Sequence, residues 1–149
     1  MEYQVIYFSR KGSTKKVADT IDSELGVNAE DVKTAKLNKD SFIFLGSGCY
    51  GGKPGKHITK FIENNYFKSR NIALFGTSGG GEGKETEVME TMLTDKDAIV
   101  KGKYFCQGRF WFGSKDKPSN EDLDNAKKFV KNMIFQQGSL SPGGEDRRW

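Results

Sequence analysis

Three stretches of this chain are apolar without alternation: Val5-Ile6-Tyr7-Phe8, Phe42-Ile43-Phe44-Leu45 and Ile72-Ala73-Leu74-Phe75. A strand with one wet face alternates apolar and polar residues. Consecutive β-branched and aromatic residues instead predict a strand covered on both faces, as in a parallel sheet. Each run breaks into small or polar residues, and apolar positions then recur at helical spacing. Val17, Ala18, Ile21 and Leu25 follow the first run; Ile58, Phe61 and Ile62 the second; Val88, Met89, Met92 and Leu93 the third. Tyr104-Phe105-Cys106 reads as a last strand. Ser119 then reads as the cap of a final helix, with Asp122 placed to reach back and Leu123, Ala126, Phe129, Val130, Met133 and Ile134 on its inner face.

The first helix is expected from about Thr14 to Leu25, with Gly26 as its stop. Val27 to Ala35 is charged and weakly patterned, and reads as a short edge strand. Strand and helix thus alternate about five times, which predicts an α/β fold with helices on both faces of a sheet built from right-handed crossovers. Residues 1–137 are expected to form one domain. Residues 138–149 turn to Ser, Gly, Pro and charge and are expected to be a flexible tail.

In such a sheet every loop after a strand lies at the carboxyl edge, where ligands bind at the switch in strand order. The loop after the first run is Ser9-Arg10-Lys11-Gly12-Ser13-Thr14. Hydroxyls, cations and a glycine before a helix make a phosphate cradle, because first-turn amides and the positive end of the helix dipole face the anion. The plainer alternative is an ordinary βα turn with Ser13 as helix N-cap. Two further small-residue loops follow at the same edge, Gly46 to Gly55 and Gly76 to Gly83. Both let backbone approach a flat ligand, with Tyr50 available to cover one face.

The whole pattern over residues 1 to about 137 resembles the flavodoxins. Their phosphate loop runs hydroxyl residue, any residue, Thr, Gly, any residue, Thr. Ser9, Gly12 and Thr14 match it, whereas Lys11 stands where the family has Thr, exchanging a hydroxyl for a cation. The resemblance implies a flavodoxin-like three-layer αβα sandwich with a five-stranded parallel sheet in the order 2-1-3-4-5. It also implies FMN as cofactor, held by Ser9, Arg10, Lys11, Gly12, Ser13 and Thr14 at the phosphate. At the ring it implies Ser47, Gly48, Cys49, Tyr50, Gly51 and Gly52 from one loop, and Thr77, Ser78, Gly79, Gly80 and Gly81 from the other. Flavodoxins sandwich the flavin between aromatics from these two loops, and here the second loop has none. Phe110 or Trp111, in the loop after the last strand, either cover that face or pack their own loop.

The chain carries 24 Lys and Arg against 20 Asp and Glu, a net charge of +4. Flavodoxins are strongly acidic, so the resemblance does not carry over their docking partners. The cations are scattered among acids, without a basic stripe interleaved with aromatics, which argues against nucleic acid and for an acidic redox partner or an anionic ligand. Arg10, Lys11, Lys53 and Lys56 lie in or beside the loops, with Glu82 the main nearby acid, and predict a less negative flavin potential than in an acidic flavodoxin. No apolar stretch reaches membrane-spanning length. The two cysteines, Cys49 and Cys106, suit a reducing compartment, and a cytoplasmic monomer is expected. With the single His57 and no Cys or His cluster, no metal site is expected.

No acid–base pair or nucleophilic triad is legible, so an FMN-dependent electron carrier is favoured over a stand-alone enzyme. A low-molecular-weight tyrosine phosphatase would need Cys in the first loop and Arg six residues later. A phosphoacceptor receiver would need carboxylates where Ser9 and Ser47 stand. Two alternatives remain: a flavodoxin-like reductase acting on a quinone, porphyrin or other small substrate, and a flavin-free binding module on the same fold.

Overall fold

A computed structural model describes residues 2–108 and 116–137. In chain order the elements are β1 (Tyr3–Phe8), α1 (Ser13–Leu25), β2 (Glu30–Asp31), β3 (Phe42–Tyr50), β4 (Lys53–Pro54), α2 (Lys56–Asn64), β5 (Asn71–Ser78), α3 (Lys84–Asp95), β6 (Ile99–Gln107) and α4 (Asn120–Gln136). Five strands pair in parallel in the order β2-β1-β3-β5-β6, while β4 folds back antiparallel on the end of β3. With β4 set aside, this is the expected 2-1-3-4-5 order.

The apolar runs are buried because successive side chains enter opposite layers. Ile6, Phe8, Ile43, Leu45, Ile72 and Leu74 join Ile58 and Ile62 of α2 and Met89 and Leu93 of α3. Val5, Tyr7, Phe42, Phe44, Ala73 and Phe75 join Val17 and Ile21 of α1 and Ala126 and Val130 of α4. The three layers follow directly. Gly26 ends α1 in the left-handed conformation at φ 71°, as its place after Leu25 predicts. At α4 the Ser119 hydroxyl accepts from the Asp122 amide, and the Asp122 carboxylate accepts from the Ser119 amide, completing the expected capping box.

Several boundaries differ from the sequence reading: the edge strand expected over 27–35 shrinks to Glu30–Asp31, and β5 runs on through Gly76-Thr77-Ser78. β3 runs on through Gly46-Ser47-Gly48-Cys49-Tyr50, which reads as loop because glycine is a poor strand former. Gly46 is needed there, since a side chain would collide with the Phe75 ring on the neighbouring strand. β6 begins at Ile99 rather than Tyr104. It is an edge strand bonded to β5 alone: Lys103 pairs with Leu74 and lies 2.7 Å from Glu90, while Lys101 is the extra residue of a bulge between Val100 and Gly102. Finally, α1 is capped by Gly12 in the left-handed conformation and not by Ser13, which is its first helical residue. Among the described residues, no helix is long and apolar enough to cross a membrane.

Candidate functional site

β1 and β3 are neighbours, and their following connections leave in opposite directions across the sheet, α1 to one face and α2 to the other. The crevice opens at that switch point, at the carboxyl ends of β1, β3 and β5. It is a cleft of about 210 Å³ lined by Ser9, Arg10, Lys11, Ser13, Thr14, Gly48, Cys49, Tyr50, Thr77, Ser78, Gly79 and Gly108. The three loops predicted from sequence meet in this one cleft.

On one wall the chain leaves β1 and turns into α1. The Ser9 hydroxyl accepts from the Gly12 amide at 3.0 Å, and Gly12 at φ 97° swings the chain into the helix. No side chain caps this helix, and first-turn amides have no acceptor within an α-helix. Arg10 and Lys11 are exposed beside it. Deeper in, the buried Thr14 and Thr77 hydroxyls lie 2.8 Å apart.

Across the cleft, β3 turns back through Gly51 and Gly52, at φ 63° and 80°, into β4. Two consecutive left-handed residues make the two-residue hairpin turn that glycine favours. These two glycines shape the turn and do not line the cleft. Ser47 is fully buried: its hydroxyl donates to the Gly48 carbonyl and accepts from the Gly55 amide, so it ties the loop together from below. Tyr50 lies edge-on to Phe8, with ring centroids 5.9 Å apart. Its hydroxyl accepts from the Arg10 amide at 3.2 Å, and the Arg10 guanidinium sits 4.6 Å above the ring centroid. Burial raises the Tyr50 phenol above its ordinary pKa, against the opposing pull of Arg10, so it is neutral at physiological pH.

The third wall is the loop after β5. The Ser78 hydroxyl accepts from the Gly81 and Glu82 amides, at 2.8 and 3.2 Å. Gly79 lines the cleft, whereas Gly80 and Gly81 are not among its lining residues and Gly81 packs near the Gln107 backbone. Gly108, which sequence reasoning missed, closes the wall: a side chain there would come to 3.0 Å from Ser13 and 3.1 Å from Thr77. Its signal is only its place one residue past the end of β6.

Beneath the cleft lies a second residue the sequence did not single out. Glu85 is fully buried in the first turn of α3, and neither carboxylate oxygen has a hydrogen-bond partner. Gly76 makes room for it, since a side chain at 76 would overlap the carboxyl. Burial holds the Glu85 pKa above the usual carboxylate range. Burial likewise raises the Cys49 thiol, helped by the adjoining Glu85. Cys106, packed in the core, is pushed up to about 12 by burial. Neither cysteine is a thiolate near neutral pH, and the cleft therefore lacks an activated sulfur nucleophile.

Tyr50 is the one aromatic among the lining residues described. The expectation that Phe110 or Trp111 covers the opposite face falls outside the described residues, as does the expected tail at 138–149. His57 is exposed, with its ring 5.2 Å from Phe8.

The sequence matches the model of a family described as the flavodoxin domain over residues 4–111. The chain belongs to the flavodoxin domain family. Among similar proteins, the flavodoxin-like domain-containing protein BilS of Clostridioides difficile is 32% identical, covering 91% of this chain and 98% of that one. A flavodoxin of Clostridium beijerinckii is 27% identical over 65% of this chain and 79% of its own length. In structure the chain resembles a flavodoxin from the Archaea with a TM-score of 0.76 at 20% identity, covering 91% and 98% of the two chains. That last likeness shows the fold, and the cleft described above sits at the ligand edge of that flavodoxin fold.

Proposed function

We propose that this chain is an FMN-binding electron-transfer protein that exchanges electrons with a protein partner. The observation that carries the reading is the convergence of the loops after β1, β3 and β5 on one cleft. The donor set suits the cofactor. First-turn amides of α1, the Thr14 hydroxyl and the cations Arg10 and Lys11 suit a phosphate. Gly79 lines the cleft without a side chain, so that backbone can approach a flat ring, while Gly48 leaves room for the Tyr50 phenol and Gly108 packs closely on Ser13 and Thr77. Bound FMN supplies one- and two-electron chemistry; the protein supplies binding, orientation and field.

The neutral Cys49 and Tyr50 leave Arg10 and Lys11 as the charged side chains among the described lining residues, with Lys53 and Lys56 exposed on the neighbouring β4 and α2. That field favours a partner with an acidic docking face. The two free cysteines suit a reducing, cytoplasmic setting.

A second reading rests on the wall at Ser78 and Gly79, which brings no aromatic ring to the cleft. A flavin face left open there would accept a quinone, porphyrin or other small planar substrate. One experiment serves both. The purified protein should carry flavin absorption bands, release FMN on denaturation and pass electrons reversibly to a protein acceptor. Steady turnover with a small quinone, and no transfer to any protein acceptor, would favour the reductase. A colourless protein that FMN neither binds nor stabilises would leave only the flavin-free module.

A further inference from the structure

Resting on the FMN reading, we propose that the Tyr50 hydroxyl is a member of the phosphate cradle, and that Tyr50 recognises the ligand's phosphate as well as its ring. Sequence reasoning gives this residue only a ring-covering role. The structure turns its hydroxyl toward the opposite wall, where it accepts the amide N–H of Arg10 in the loop between β1 and α1.

Three features support the assignment. The first is an unspent donor. A phenol both donates and accepts, and this one accepts from Arg10 while its own O–H proton has no acceptor among the described residues. A half-buried O–H in a cleft of amide donors and cations is a donor toward an incoming anion. Accepting an N–H bond also polarises the O–H and strengthens what it donates.

The second is Gly48. A Cβ built at that position would lie 2.5 Å from the Tyr50 hydroxyl oxygen and 3.4 Å from the Thr14 hydroxyl. The phenol therefore fills the space that a side chain at 48 would occupy, directly beside the threonine at the start of α1. It reaches that space only because residue 48 has no side chain.

The third is the clamp. Phe8 meets the ring edge-on, and the Arg10 guanidinium covers a face 4.6 Å from its centroid. Together they hold the hydroxyl at the loop before any ligand arrives, so little rotamer freedom is lost on binding. The same guanidinium brings positive charge to the anion's side of the cleft.

The test compares two ligands that differ only in the phosphate. FMN and riboflavin are titrated into flavin-free wild type, Tyr50→Phe and Gly48→Ala, with inorganic phosphate titrated in parallel and followed at the Arg10 amide by NMR. Tyr50→Phe keeps the ring and removes the donor. FMN should bind about tenfold more weakly, inorganic phosphate should weaken in step, and riboflavin should be unchanged. Gly48→Ala should displace the phenol and reproduce the loss, and the double variant should be no worse than either single one.

Equal losses for FMN and riboflavin would reduce Tyr50 to a ring contact and overturn the proposal. Tighter FMN binding in Tyr50→Phe would overturn it in the opposite sense, with the hydroxyl a competitor of the phosphate. Should wild type bind neither flavin, the FMN reading fails by itself. The phosphate arm then decides the role of Tyr50: weaker phosphate binding in Tyr50→Phe upholds it, and unchanged binding rejects it.

Discussion

The side-chain hydroxyls of Thr14 and Thr77 stand 2.8 Å apart, and both residues are buried. This one bond ties the first turn of α1 to the end of β5, two elements 63 residues apart in the chain. Replacing Thr77 with Val keeps the shape and leaves the Thr14 hydroxyl without its partner. The expected cost is about 1 kcal/mol of stability, read by chemical denaturation of the flavin-free protein, with Thr77→Ser close to wild type. A Val variant as stable as wild type would show that the pair carries no weight.

Glu85 gives the pH dependence of stability a definite sign. Its folded pKa is raised by burial above the unfolded value. Between those two values the folded state binds the extra proton, so stability falls as pH rises from the ordinary carboxylate range through the folded pKa. The titratable groups facing it are Glu87 on its own helix and the neutral thiols of Cys49 on β3 and Cys106 on β6. Glu85→Gln stays neutral and should remove this decline. Unfolding curves over a pH series would show the two proteins diverging toward alkaline pH, and parallel curves would contradict the assignment.

At the other end of the chain, Ser119→Ala removes one half of the α4 capping box while the Asp122 carboxylate still accepts the Ser119 amide. A loss of about 1 kcal/mol is expected from thermal or denaturant unfolding, with flavin affinity unchanged because α4 does not line the cleft.

Lys53, paired with Tyr50 across the β3–β4 hairpin, and Lys56, at the start of α2, are exposed and test the redox field. Reversing both to Glu should move the flavin's reduction to more negative potential, by at most about 1 kcal/mol per charge where solvent screens it. Added salt should narrow the gap between variant and wild type. An unchanged potential, measured by stepwise reductive titration, would remove these two lysines from the account.

How far the sequence could be read depended on where burial comes from. Val5 to Phe8 and Ile72 to Phe75 announce themselves because both of their faces are covered, so the pattern needs no knowledge of partners. Gly46 to Tyr50 hides its strand, since the reason for Gly46 is the Phe75 ring on another strand. The Gly51-Gly52 pair was readable as a hairpin turn, and its place inside a long glycine run concealed it. Glu85 looks like an ordinary first-turn acid complementing a helix dipole. Its burial depends on Gly76, nine positions away and on a different element. The loop from Ser9 to Thr14 was legible as a wall of the cleft in its residue types and order. The turn of Tyr50 toward it was not, because that depends on Gly48 and Arg10 together.

The central claim is that the cleft is a flavin site that reads the phosphate. Calorimetric titration of FMN and of riboflavin into the flavin-free protein tests it most directly. The account predicts one FMN per chain and riboflavin bound much more weakly, since the α1 amides, Thr14 and the loop cations act on the phosphate alone. Equal affinity for the two flavins, or no heat from either, would contradict it.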